Sequence, residues 1–184
     1  MARDTLSRSL HDVGLAAWFG GTLANAVALN PAAAEASTST DRGAVANVGW
    51  DRWTPVNAAA IGAHVLGSVG QLIGNKGRLQ GQQGVASMSV AKTALTAAAL
   101  GVTAYSRVLG KRVSQETRMP AESGTQPDTG TPPSVASAQK QLRMLQWAIP
   151  ALTGALVVVT SFAGEQQRAS EVKSGVLRKV LPTA

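Results

Sequence analysis

The chain has no cysteine, which excludes disulfide bridges, a thiolate nucleophile and any cysteine-held zinc or iron–sulfur centre. Its two histidines, His11 and His64, are too few for a multi-histidine catalytic metal site. Aromatic residues fill 4% of the 184 positions and charged residues 15%, against about a quarter charged in an ordinary soluble domain. No Ser-His-Asp set, paired carboxylates or dinucleotide fingerprint can be assembled. The glycine-rich stretch 74–81 lacks the Gly-Lys-Ser/Thr order of a phosphate-binding loop and reads as a turn. These absences point away from an enzyme, and no cofactor or metal is expected.

What the chain does have is apolar length. Apolar residues make up 45% of it, and most of its charges lie outside four runs. Residues 145–164 carry no charge and are rich in Leu, Val, Ile and Ala, enough at about 1.5 Å per residue to cross a hydrocarbon core of roughly 30 Å. Residues 53–75 form a second run, with Pro55 placed for a helix start and Gly74-Asn75 for a stop. Residues 13–30 form a third. Residues 93–106 form the shortest, which reaches full length only if Lys92 and Arg107 sit near its ends and extend their charged heads to the interfaces. The expected fold is an all-α integral membrane bundle of four transmembrane helices: an N-terminal tail 1–12, three spans within 13–110, a loop 111–143, a fourth span 144–164 and a tail 165–184. The competing reading of the first run is a secretory signal cleaved near 32–36. A run longer than the usual apolar region of about 7–15 residues favours a retained span.

The connections suggest an orientation. Residues 31–52 are weakly acidic and end with Trp50 and Trp53, side chains that favour a membrane interface, whereas 76–87 carry Lys76 and Arg78 and no acid. Both termini are therefore placed in the cytoplasm. Pro120, Pro127, Pro132 and Pro133, set among Ser, Thr and Gly, predict a largely disordered third loop. Val172, Val176 and Val180 recur every four residues among Arg168, Lys173, Arg178 and Lys179, a pattern for an amphipathic helix on anionic lipid headgroups. The net charge of +7 is spread over tails and loops without a basic, aromatic-interleaved face, so the expected partner is the lipid bilayer and not nucleic acid. Abundant Ala and Gly fit a GC-rich bacterial genome, and with it the bacterial inner membrane.

Small residues recur at helical spacing. Ala16, Gly20, Ala24 and Ala28 mark one face of the first span, and Ala59, Ala63, Gly67, Gly70 and Gly74 one face of the second, the pattern that lets helices approach closely in lipid. Pairing the runs about their centres sets His64 level with Thr22, Asn25, Thr103 and Thr153, a midplane polar layer able to relay a proton or hold a small ligand. The structural alternative is an imidazole that only bonds helices together. The same pairing separates His11 from His64 by about 11 residues, or ~16 Å, too far to clasp one haem iron.

The segment Leu10-His11-Asp12-Val13-Gly14-Leu15-Ala16-Ala17-Trp18-Phe19-Gly20-Gly21 resembles the opening helix of copper-resistance-D-like small bacterial membrane domains, where a histidine near the helix start precedes Trp-x-Gly-Gly. The resemblance covers about twelve residues. It implies a four-helix domain with a metal or redox association, although Met88, Met119 and Met144 are scattered where copper handling wants clustered ligands. Two functions are expected from the whole: a non-enzymatic accessory or scaffold subunit packing against a membrane-protein partner or itself, or a small transporter or proton-conducting subunit using the His64 layer.

Overall fold

Polar residues lengthen each apolar run into a longer rod. The computed structural model describes residues 4–115, 120–165 and 168–180. Its first rod joins α1 (Thr5–Ala24), a π-helical turn (Asn25–Leu29) and α2 (Asn30–Ala34). Then follow α3 (Ser39–Gly74), a short α4 (Lys76–Gly81), α5 (Val85–Ser114), a hairpin of β1 (Ala121–Ser123) and β2 (Gln126–Pro127), α6 (Pro133–Glu165) and α7 (Ala169–Val180). The rods Thr5–Ala34, Ser39–Gly74, Val85–Ser114 and Pro133–Glu165 are each long and apolar enough to cross a membrane. The class is all-α, as the composition predicts.

The rod ends follow local chemistry. Thr38 caps α3 by accepting the Asp41 backbone N–H at 3.1 Å, so the helix starts well before Pro55. Pro55 is thus interior to α3 instead of opening it, on an exposed face, with the Thr54 hydroxyl bonded to Trp50 O at 2.8 Å beside it. Gly84, at φ 85°, takes the left-handed conformation that ends the α4 turn and admits α5. The run 93–106 lies inside the 30 residues of α5, so Lys92 and Arg107 do not bracket a short span, and Arg107 instead meets Asp51 of α3 at 3.2 Å.

The expected disordered loop 111–143 is replaced by structure wherever it is described. α5 runs on to Ser114, α6 begins at Pro133, and 120–131 fold into a hairpin whose Ala121 is buried. Proline suits the first position of a helix, where its missing N–H costs nothing. In the turn, the Thr131 hydroxyl donates to Pro120 O at 2.6 Å and accepts from the Asp128 N–H at 2.8 Å. The Thr129 hydroxyl and the Gly130 N–H donate to Asp128, holding its carboxyl below the usual range. Composition alone does not register such side-chain closure.

α1 runs antiparallel to α3 and α5 to α6, giving two helical hairpins. They meet at Trp18, Ala60, Ala99 and Ile149, one residue from each long rod. Leu109, Val113, Val135 and Ala138 extend the α5–α6 seam towards the β-hairpin. At that end Asn30 donates to Gln146 Oε1 at 2.7 Å and accepts from Trp50 Nε1 at 3.0 Å, tying α2, α3 and α6 together beneath Gly124 of the hairpin. At the other end α7 packs against the α4–α5 turn, where Gln83 N–H donates to Gly175 O at 3.3 Å.

Candidate functional site

The closest helix approach builds the site. A Cβ at Gly14 would collide with Ala60 O and His64 N, and one at Gly67 with His11 N and Ser7 O. Each glycine therefore faces the backbone beside the opposite histidine, and the two helices approach more closely than any side chain at those positions permits. The imidazoles of His11 and His64 meet between them, ring centroids 4.5 Å apart and both rings fully buried.

This overturns the centre-based pairing, which set His64 level with residue 22 and His11 about 16 Å away. Runs of apolar residues do not mark helix centres here, because α1 starts at Thr5 and α3 at Ser39. The contacts of Gly14 with Ala60 and His64, Gly21 with Trp53, and Gly70 with Ser7 define a register that slides α1 along α3 by about nine to twelve residues. Haem ligation by the pair stays excluded, now for the opposite reason: rings in direct contact leave no gap for a porphyrin.

His64 Nδ1 lies 3.3 Å from His11 O, an atom that only accepts, so Nδ1 carries the hydrogen and Nε2 accepts from the Thr96 hydroxyl at 3.3 Å. His11 Nδ1 lies 2.7 Å from Asp12 Oδ1, while its Nε2 finds no partner among the described residues. The Trp18 indole, also fully buried, stands 6.0 Å from the His64 ring, its centroid measured to the same point. Asp12, His11, His64 and Thr96 thus form a line of polar groups from the outside of α1, through the α1–α3 seam, to α5. No group of three or more His, Asp or Glu that could hold a metal occurs among the described residues.

The predicted polar layer is not assembled. The Thr22 hydroxyl donates to Trp18 O at 2.7 Å and that of Thr153 to Ile149 O at 2.8 Å, each satisfied within its own helix. Asn25 opens the π-helical turn with its Nδ2 unpartnered among the described residues. Thr103 lines a cavity of about 280 Å³ between α3 and α5. Only His64 of the five takes part in the histidine site. Thr96, His64's actual partner, went unsingled in the sequence, where it is one Thr of several in an Ala-rich helix.

The packing residues divide by helix. Gly67, Gly70 and Gly74 of α3 do face α1, against His11, Ser7 and Asp4, with Ala63 half-buried beside them. Ala16, Gly20 and Ala24 do not face α3: all three are exposed, and nothing lies within 4 Å of where a Cβ on Gly20 would sit. The inward face of α1 is Ser7, His11, Gly14, Trp18 and Gly21 instead. Among the basic tail residues, Arg168 pairs with Glu165 at 2.8 Å and Lys173 is exposed, whereas the side chains of Arg178 and Lys179 lie outside the described residues.

Compared with family models, curated proteins and solved structures, the chain matches none.

Proposed function

We propose that the protein is a non-enzymatic multi-pass subunit of a bacterial inner membrane, acting as an accessory or scaffold that packs against a membrane-protein partner or a second copy. The observation that supports this most is the outward stripe of α1. Ala16, Gly20, Ala24 and Ala28 repeat at one-turn spacing and are all exposed, because Gly14 and Gly21 take over the packing against α3. In lipid, apolar side chains gain nothing by leaving the bilayer for a neighbouring helix, so close backbone approach over small residues is what drives association. With both termini in the cytoplasm, Lys76 and Lys173 face the anionic leaflet.

The test is extraction in mild detergent followed by native mass spectrometry of the chain and whatever travels with it. The wild-type chain should carry a stoichiometric partner or second copy. The double substitution Gly20→Leu/Ala24→Leu should lose it while keeping its helical circular dichroism. A wild-type chain that travels alone, or a partner retained by the double variant, refutes the docking role.

A second reading, a proton-conducting or small-transporter subunit, draws on the Asp12, His11, His64 and Thr96 line rather than on the midplane layer. His64→Gln separates the two in reconstituted vesicles. Conduction requires pH-driven flux that this substitution abolishes without harming assembly. A purely structural imidazole predicts lower accumulation of the chain and no flux to lose.

A further inference from the structure

The cavity of about 280 Å³ between α3 and α5 lies near the β-hairpin, with Gly124 and Thr125 in its wall. Much of its lining is apolar, including Ile61, Leu100, Val113 and Ile149. Some lining polar groups are already satisfied: the Thr54 hydroxyl bonds Trp50 O, the Thr22 hydroxyl Trp18 O, and Gln146 Oε1 accepts from Asn30. Four others are not. Trp53 Nε1, Asn57 Oδ1, Thr103 Oγ1 and Ser106 Oγ are buried atoms without a hydrogen-bond partner among the described residues, and all four residues line this one cavity.

Their spacing is regular. Trp53 and Asn57 stand one turn apart on α3, and Thr103 and Ser106 one turn apart on α5, so each wall presents a pair. Buried polar atoms are ordinarily bonded, and four orphans around one space mark where bonds are meant to be made. The space far exceeds the ~30 Å³ of one water, yet four polar atoms are too few to hold a cluster of waters that each need two to four partners. It approaches the lower bound of ligand pockets, roughly 300 Å³.

The chemistry of the walls selects the ligand. The indole N–H of Trp53 only donates, the hydroxyls of Thr103 and Ser106 can donate, and the Asn57 amide can turn to present either end. Donors on two walls suit a flat molecule with an acceptor at each of two ends. Arg107, the cationic side chain in the lining, is engaged by Asp51 at 3.2 Å, so no anionic group is called for. We propose that this cavity binds the head of a neutral, lipid-soluble dicarbonyl compound of the quinone type, one carbonyl towards Trp53 and Asn57 and the other towards Thr103 and Ser106. The site is independent of the outward stripe on α1 and stands whether or not that stripe docks a partner.

Trp50 and Trp53 line the cavity, so a quinone seated there quenches indole fluorescence. The experiment titrates menadione into the full chain in zwitterionic nanodiscs. Saturable quenching is expected. It should weaken about tenfold or more in Thr103→Val, which keeps the side-chain shape, and in Gly110→Leu, which adds bulk to the lining where nothing lies within 4 Å of the new Cβ. Leu66→Ala, on an exposed face, should leave it unchanged. Quenching that rises linearly without saturation, as simple partitioning into the bilayer gives, overturns the proposal. So does saturable quenching that is the same in Thr103→Val and Gly110→Leu with helicity retained.

Discussion

A methyl group on Gly67 would occupy the space of His11 N and Ser7 O, backbone atoms that yield only if the whole of α1 moves. The glycines therefore fix the distance between α1 and α3, and that distance places two imidazoles in contact. Gly67→Ala should lower stability by about 1–3 kcal/mol, the usual cost of overpacking. Gly62→Ala, in the same helix with nothing within 4 Å of its Cβ, should leave it unchanged or slightly raised. Unfolding titrations of the two variants check this, and equal stabilities would count against the close approach. The sequence singled out Gly67 for packing and His64 for burial on sound grounds, since small residues at one-turn spacing and an ionisable side chain in an apolar run both carry physical meaning. It could not pair His64 with His11, because a partner depends on register, and register depends on which small residues face inward.

At the scale of the element, the existence of four long apolar helices was legible from uncharged length alone. Their ends were not. The Thr38 cap and Asp41 start α3 in a polar segment fourteen residues before the apolar run at 53, and α6 starts at Pro133, twelve before the run at 145. Charged and polar residues are good helix formers outside a bilayer, so hydropathy marks only the part of a rod that lipid can touch. The same limit hid the fate of 93–106, which Lys92 and Arg107 seem to bracket on paper but which continues through both into a 30-residue helix. The hairpin at 120–131 was illegible for a different reason. Its order comes from a few specific bonds, such as Thr131 to Pro120, and from burial of Ala121 against the bundle, neither of which composition reports.

For the whole molecule, one choice of face on α1 has two consequences. Turning Ser7, His11, Gly14 and Gly21 inward buries the histidine pair, and it leaves Ala16, Gly20, Ala24 and Ala28 outward as a close-approach surface. A sequence reading that takes the most regular small-residue stripe as the inner one reaches the opposite arrangement, since nothing in the spacing says which of two stripes meets a neighbour within the chain. The candidate site was thus partly legible: His64 as a buried group was, its partners and the cavity between α3 and α5 were not. The absence of native cysteine makes the arrangement directly testable by disulfide trapping in membranes. Gly70→Cys is combined in turn with Ser7→Cys and with Ala16→Cys, positions about 13 Å apart along α1 at ~1.5 Å per residue. The register described here predicts a rapid, near-complete cross-link for Ser7→Cys/Gly70→Cys, because Gly70 packs on the Ser7 side chain. Cross-linking of Ala16→Cys/Gly70→Cys in its place would restore the centre-paired register and contradict both the histidine contact and the outward stripe.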